Sequence, residues 1–195
     1  MVIENLKVYG LENAIRGSKF PMSTNINDLN SDITNTVKSL ASSGKGEGHD
    51  QFLTGIITQF DLTFTIKAWT EAERYHFLDF ISSQSTMHRI AKFDIEKQMC
   101  SYVTQNTINE VNRLKDIYNE EPTAENYLTL LYNVPVGFKL TASMTTNYRQ
   151  LKTIVSQRST HRLPEWREFC KQVEEFPMFK ELIYKDEKKG DKENE

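Results

Sequence analysis

The sequence predicts an α+β domain, a twisted antiparallel sheet packed against several helices. Three stretches carry that expectation. Residues 60–67 alternate strictly, apolar at Phe60, Leu62, Phe64 and Ile66 and polar between them, the period of a strand with one buried face. Residues 137–145 alternate again through Phe138, Leu140 and Ala142. Residues 143–170 read as two helices joined by a short basic turn. Tyr148, Leu151 and Val155 recur at helical spacing in the first, and Trp166, Phe169, Cys170 and Val173 form an i, i+3, i+4, i+7 stripe in the second. Pro164 at the first helical position and Glu165 in the first turn start that second helix cleanly.

The remaining elements follow in order. Residues 6–10 make a first strand ending at Gly10. Ile26, Leu29, Ile33, Val37 and Leu40 predict a helix over 25–40, with Asn and Asp offering caps. Residues 41–50 form a Gly/Ser connector; it lacks the order of a phosphate-binding P-loop. A helix is expected over 69–80, then a hydroxyl-rich loop holding Gln84, Ser85, Thr86, His88 and Arg89. That composition suits a phosphate or sugar edge, and equally a solvated turn. Residues 95–118 are helical with a polar break near Asn106, and Pro122-Thr123 starts another helix that stops before Pro135. A short helix after Pro177 carries Phe179, Leu182 and Ile183. The domain therefore spans 1–184, and the almost wholly charged 185–195 reads as a disordered tail.

Composition narrows the function. The chain has 195 residues and a formal charge of −3, which argues against a long nucleic acid as partner. No apolar run approaches the roughly 20 residues of a membrane span. Cys100 and Cys170 stand alone, so neither a disulfide framework nor a zinc site is expected, and a cytoplasmic setting is the default. The histidines at 49, 76, 88 and 161 show no HxH or HxxxH ligand pair, and no metal site is assigned. Cys170 falls on a core stripe, where a nucleophile is not expected. Against this acidic background Arg149, Lys152, Arg158, His161, Arg162 and Arg167 concentrate positive charge between the two C-terminal helices. Asn147, Leu151, Ile154 and Arg158 share a narrow angular band, so an otherwise apolar helix face begins and ends with a polar group.

Asn147-Tyr-Arg149-Gln-Leu151, then Arg158, His161 and Trp166-Arg-Glu168, resemble the C-terminal signature of the flavin-dependent thymidylate synthases. In that family Asn-x-Arg-x-Leu is followed by Arg, a short turn with His, and Gln-Trp-Glu-Ile; here one residue is inserted before the Trp. His49 followed by Phe52 resembles the family's entry to its long strand. Gln84, Thr86 and His88 stand at the Glu, Ser and last Arg of its nucleotide motif. The family's Arg-His-Arg triplet is absent, Arg74-Tyr75-His76 being the nearest approach.

The resemblance implies a phage- or bacterial-type enzyme that methylates dUMP or a related pyrimidine nucleotide. FAD would supply a hydride and methylenetetrahydrofolate the one-carbon unit, in a homotetramer whose sites draw on more than one subunit. It places Gln84, Ser85, Thr86, His88 and Arg158 on the nucleotide, with Arg158 as the group stabilising charge on the pyrimidine. His49, Arg74, His76, Asn147, Arg149 and His161 would face the flavin. If phage-encoded, the enzyme would act in the host cytoplasm. Each residue also has a plainer reading: Asn147 with Gln150 makes a helix capping box, and Arg158 suits a helix C-terminus. Two further readings stay open for the chain, a non-catalytic nucleotide-binding protein that lost flavin binding and an assembly module built on the paired helices.

Overall fold

The computed structural model describes residues 1–44 and 46–184; the expected tail at 185–195 lies outside them. β1 (Val2–Tyr9) ends at Gly10, which opens α1 (Leu11–Gly17) with a φ of 74°. A Cβ at Gly10 would stand 2.4 Å from the Gly55 carbonyl oxygen, so position and conformation both demand glycine. α2 (Asn35–Ala41) and a 3₁₀ segment at His49–Gly55 precede β2 (Ile57–Thr65). Then come α3 (Ile66–Ala72), β3 (Asp79–Ser83), α4 (Thr86–Arg89), α5 (Ile95–Gln98), α6 (Gln105–Glu120) and α7 (Ala124–Tyr132). β4 (Lys139–Asn147) runs directly into α8 (Tyr148–Arg158), and α9 (Pro164–Glu174) and α10 (Phe179–Ile183) follow.

The strands form one antiparallel sheet in the order β1-β2-β4-β3. Its central register sets Phe60 opposite Met144, Leu62 opposite Ala142 and Thr58 opposite Thr146. The apolar members of these pairs join Tyr148, Leu151 and Ile154 of α8 and Trp166, Phe169 and Val173 of α9 in the main core. Phe64 and Trp166 meet edge to face, with ring centroids 5.0 Å apart. A second, smaller core under α5–α7 gathers Ile95, Val111, Leu114, Leu130 and Phe138.

Three expectations fail locally. The helix over 25–40 shrinks to α2, preceded by a 3₁₀ turn at Ile26–Asp28. Upstream, Asn25 accepts the Asn27 amide, Asn30 accepts the Asp32 amide, and Lys19 binds Asn30, so local side-chain bonds outcompete the helix. The helix over 69–80 ends at Ala72, and the chain turns through Phe77 (φ 68°) into the edge strand β3. The helix over 95–118 breaks at Met99–Thr104 rather than at Asn106. There Met99 bridges to Phe138, and the Thr104 hydroxyl caps α6 by accepting the Thr107 amide.

Candidate functional site: a polar cavity beside α8

Because β4 enters α8 without a loop, Asn147 is fixed at the junction and Arg149 in the first turn. Asn147 Oδ1 accepts the Gln150 amide at 2.9 Å, the capping role expected of it. Across from this turn, the 3₁₀ segment supplies Asp50, buried to 6% exposure. Its carboxylate accepts Arg149 Nε at 3.0 Å on one oxygen and Lys152 Nζ at 2.8 Å on the other. Arg149 Nη1 also donates to Gln51 Oε1 at 2.7 Å. Lys152 completes its set on the carbonyls of Ala41 (2.8 Å) and Ser43 (2.7 Å), tying the glycine-rich connector to α8.

These groups border a cavity of about 740 Å³ that runs along α8 from Asn147 to Gln157, with Phe77 on its wall. Among the described residues, its lining carries the single carboxylate of Asp50 against two cations, Arg149 and Lys152, among amides and hydroxyls such as Gln51, Thr54, Gln150 and Thr153. The described residues of the wall therefore bear one excess positive charge and many neutral hydrogen-bonding groups, which suits a flat, amide-edged ligand with an anionic part.

Of the residues expected at a flavin, Asn147 and Arg149 line this cavity. His49 lies exposed beside Asp50, and Arg74 and His76 are exposed in the turn leading to Phe77. His161 is elsewhere, beyond the far end of α8, where its Nδ1 accepts the Leu163 amide at 3.2 Å. Desolvation and then the Arg158 charge hold its pKa below the ordinary 6.5.

Apart from Arg158, the expected nucleotide residues gather at the opposite end of β4. Gln84 extends the β3–β4 ladder: its amide donates to Thr141 O, and its side-chain oxygen accepts the Thr141 amide, each at 2.9 Å. Ser85 precedes α4, and Thr86 and His88 lie on that helix, with His88 exposed. Thr141 and Asn147 are six positions apart on one strand. At a strand's rise the two groups are separated by roughly 20 Å. A larger cavity, about 980 Å³, lies at that end beside Lys139, Lys67 and Arg162, and none of the residues named for nucleotide or flavin lines it.

Arg158 is committed inward. At 8% exposure it donates from Nε to the Tyr75 hydroxyl at 2.6 Å and pairs with Glu71 at 3.5 Å. Its guanidinium carbon lies 5.0 Å from the Trp166 ring centroid and 5.3 Å from that of Tyr75. Tyr75 in turn donates to Gln157, so Arg158 stands two hydrogen bonds behind the cavity wall and lines neither cavity.

Sequence reasoning missed Asp50, Gln51, Glu71 and Tyr75. The available signal was a carboxylate beside His49 in a chain segment followed by a strand, facing a helix whose Arg149 and Lys152 share a side. Cys170 packs in the main core, and burial pushes its thiol up to about 12, which removes it as a nucleophile at neutral pH. Among the described residues no group of three His, Cys, Asp or Glu is placed to hold a metal, and no helix is long and apolar enough to cross a membrane.

No protein-family model matches the sequence, and no curated protein matches it. In structure the chain is similar to the flavin-dependent thymidylate synthase ThyX of Helicobacter pylori in complex with FAD and dUMP. The TM-score is 0.73 at 14% identity, covering 94% of this chain and all of that one. A second structure of that enzyme with FAD and dUMP gives 0.74 at 13% identity, covering 92% of this chain and 95% of that one. The α+β fold expected from the sequence is thus the fold of these enzymes.

Proposed function

We propose that this protein is a thymidylate-synthase-like, flavin-dependent enzyme acting on dUMP or a related pyrimidine nucleotide in the cytoplasm. The observation that carries the reading is the cavity beside α8. It brings Asn147 and Arg149, the two best-matched residues of the family signature, onto one wall within a fold shared with enzymes crystallised with FAD and dUMP. The residues there fit a flavin: the Asn147 amide and the Arg149 guanidinium offer donors to a pyrimidine-like edge, and the excess positive charge suits a phosphate or a reduced ring. When bound, the flavin would supply hydride, and methylenetetrahydrofolate the carbon. The protein's own part is to hold the ring, exclude water and present donors.

Gln84, Ser85, Thr86 and His88 would serve the nucleotide. Their distance from Asn147 within one chain favours a site completed by a second copy, since hydride transfer needs reacting atoms about 3–3.5 Å apart. Phe77, Phe80, Ile81 and Met87, all exposed along and beside the edge strand β3, supply an apolar face for that copy. A homotetramer is the assembly we assign.

A second reading, a nucleotide-binding protein without turnover, draws support from Arg158 being engaged by Glu71 and from the missing Arg-His-Arg triplet. One experiment separates the two. Purified protein that is yellow, bleaches with dithionite and converts dUMP to dTMP with methylenetetrahydrofolate and a reductant establishes the enzyme. Colourless protein whose melting temperature rises with dUMP establishes the second reading; ligand at ~100 times Kd adds about 2.7 kcal/mol. Protein that responds to neither flavin nor nucleotide overturns both.

A further inference from the structure

We infer, resting on the flavin reading above, that Asp50 and Lys152 are positioning residues of this cavity, acting through Arg149 rather than touching the ligand themselves. Lys152 has no proton to spare: its ammonium is shared among Ala41 O, Ser43 O and Asp50 Oδ2, all within 2.7–2.8 Å. Asp50 is held on both oxygens, one by each cation, and the residue is 6% exposed. Arg149 differs. Its Nε and Nη1 are pinned by Asp50 and Gln51, while its Nη2 carries no hydrogen bond to the described residues. The Arg149 side chain keeps 37% exposure on the cavity wall.

Two fixed points on a planar guanidinium, one at Nε and one at Nη1, determine where its remaining nitrogen points. Asp50 is the first of those points, and Lys152 fixes Asp50 by anchoring it to two backbone carbonyls of the connector. The order of action is therefore connector, Lys152, Asp50, Arg149, ligand. Gln51, the second clamp, is the next residue along, so loosening Asp50 loosens both.

Charge and position make opposite predictions for Asp50. Asp50→Asn leaves two cations facing a neutral amide and makes the wall more positive. Coulomb attraction alone would then tighten an anionic flavin nucleotide. Positioning predicts the reverse, because an asparagine can offer its one oxygen to only one of the two cations. With its NH₂ toward Arg149 it sets donor against donor at Nε, and with its NH₂ toward Lys152 it loses the anchor that holds it against Arg149.

The test is FAD titration, followed by quenching of flavin fluorescence, on wild type, Asp50→Asn, Lys152→Met, Arg149→Ala and the Lys152→Met/Arg149→Ala double variant. Apo melting curves identify the temperature at which all are folded. Asp50→Asn and Lys152→Met should each weaken FAD about tenfold, and the double variant should bind as Arg149→Ala does, because Lys152 has nothing left to act through. Tighter binding by Asp50→Asn, or losses that add in the double variant, overturns the inference. If Asp50→Asn does not fold, the Lys152/Arg149 comparison decides alone. Wild type that binds no FAD overturns the flavin reading first, a pattern distinct from wild-type binding that the variants leave unchanged.

Discussion

Replacing Arg158 tests what the end of α8 is for. Arg158→Met keeps much of the aliphatic stem and removes the guanidinium, which is 8% exposed between the Tyr75 and Trp166 rings. A hydrogen bond from a charged donor is worth about 1.5–3 kcal/mol, and a partly desolvated cation–π contact about 0.5–2 kcal/mol. Glu71 is not orphaned by the change, since Lys67 holds it at 3.0 Å. The cost should therefore stay at the low end of the 3–5 kcal/mol seen when buried ion pairs are broken, about 3 kcal/mol. At about 2–4 °C per kcal/mol for a chain of this size, the melting temperature should fall by about 6–12 °C. Thermal melts followed by circular dichroism at pH 7, in low and high salt, measure this, and the loss should change little with salt because the pair is buried. Tyr75→Phe should cost less, and once Arg158 is already methionine it should cost only what the exposed Tyr75–Gln157 hydrogen bond contributes. An Arg158→Met protein that melts with wild type but no longer responds to dUMP would refute this account. The guanidinium would then serve a ligand and not the core.

Three other outcomes are expected. Thr58 and Thr146 are paired across β2 and β4, and both hydroxyls are buried without a hydrogen-bond partner. Thr58→Val with Thr146→Val should leave stability unchanged or raise it by about 1 kcal/mol per site, read from urea melts. His161 has a folded pKa below its ordinary 6.5, so the unfolded chain binds its proton more readily. Its contribution to stability is present above pH 6.5 and is lost as pH falls from there through the lowered value; NMR titration of the ring should show the shift, and His161→Gln should flatten that limb of the stability profile. Gly10→Ala should destabilise by more than the about 1–2 kcal/mol of a left-handed alanine, because its Cβ also strikes the Gly55 carbonyl, and the loss should appear as a lower urea midpoint.

The sheet and the C-terminal helices were legible because their burial is periodic. β2 alternates between core and surface over Thr58–Phe64, and α8 and α9 bury one stripe each, so strand and helix periods stand out in the sequence. β3 was not legible: all five of its residues are exposed, so no buried face imposes alternation, and the strand exists through its ladder to β4. The cavity was half legible. Asn147 and Arg149 were singled out by the resemblance of their stretch to the family's C-terminal signature, whereas Asp50 reaches Arg149 across 99 positions of chain, a separation no local pattern records.

Arg158 shows the same limit from the other side. A cation ending an apolar helix face can meet a ligand or a buried counter-charge, and both produce the same sequence. What separates them is whether other elements deliver a carboxylate and aromatic rings to the same point. Here α3 delivers Glu71, the turn after it Tyr75, and α9 Trp166, none of which lies on the helix that carries the arginine. Local spacing therefore singles out the position and leaves its neighbours open, because the neighbours are set by how three elements pack and not by the helix itself.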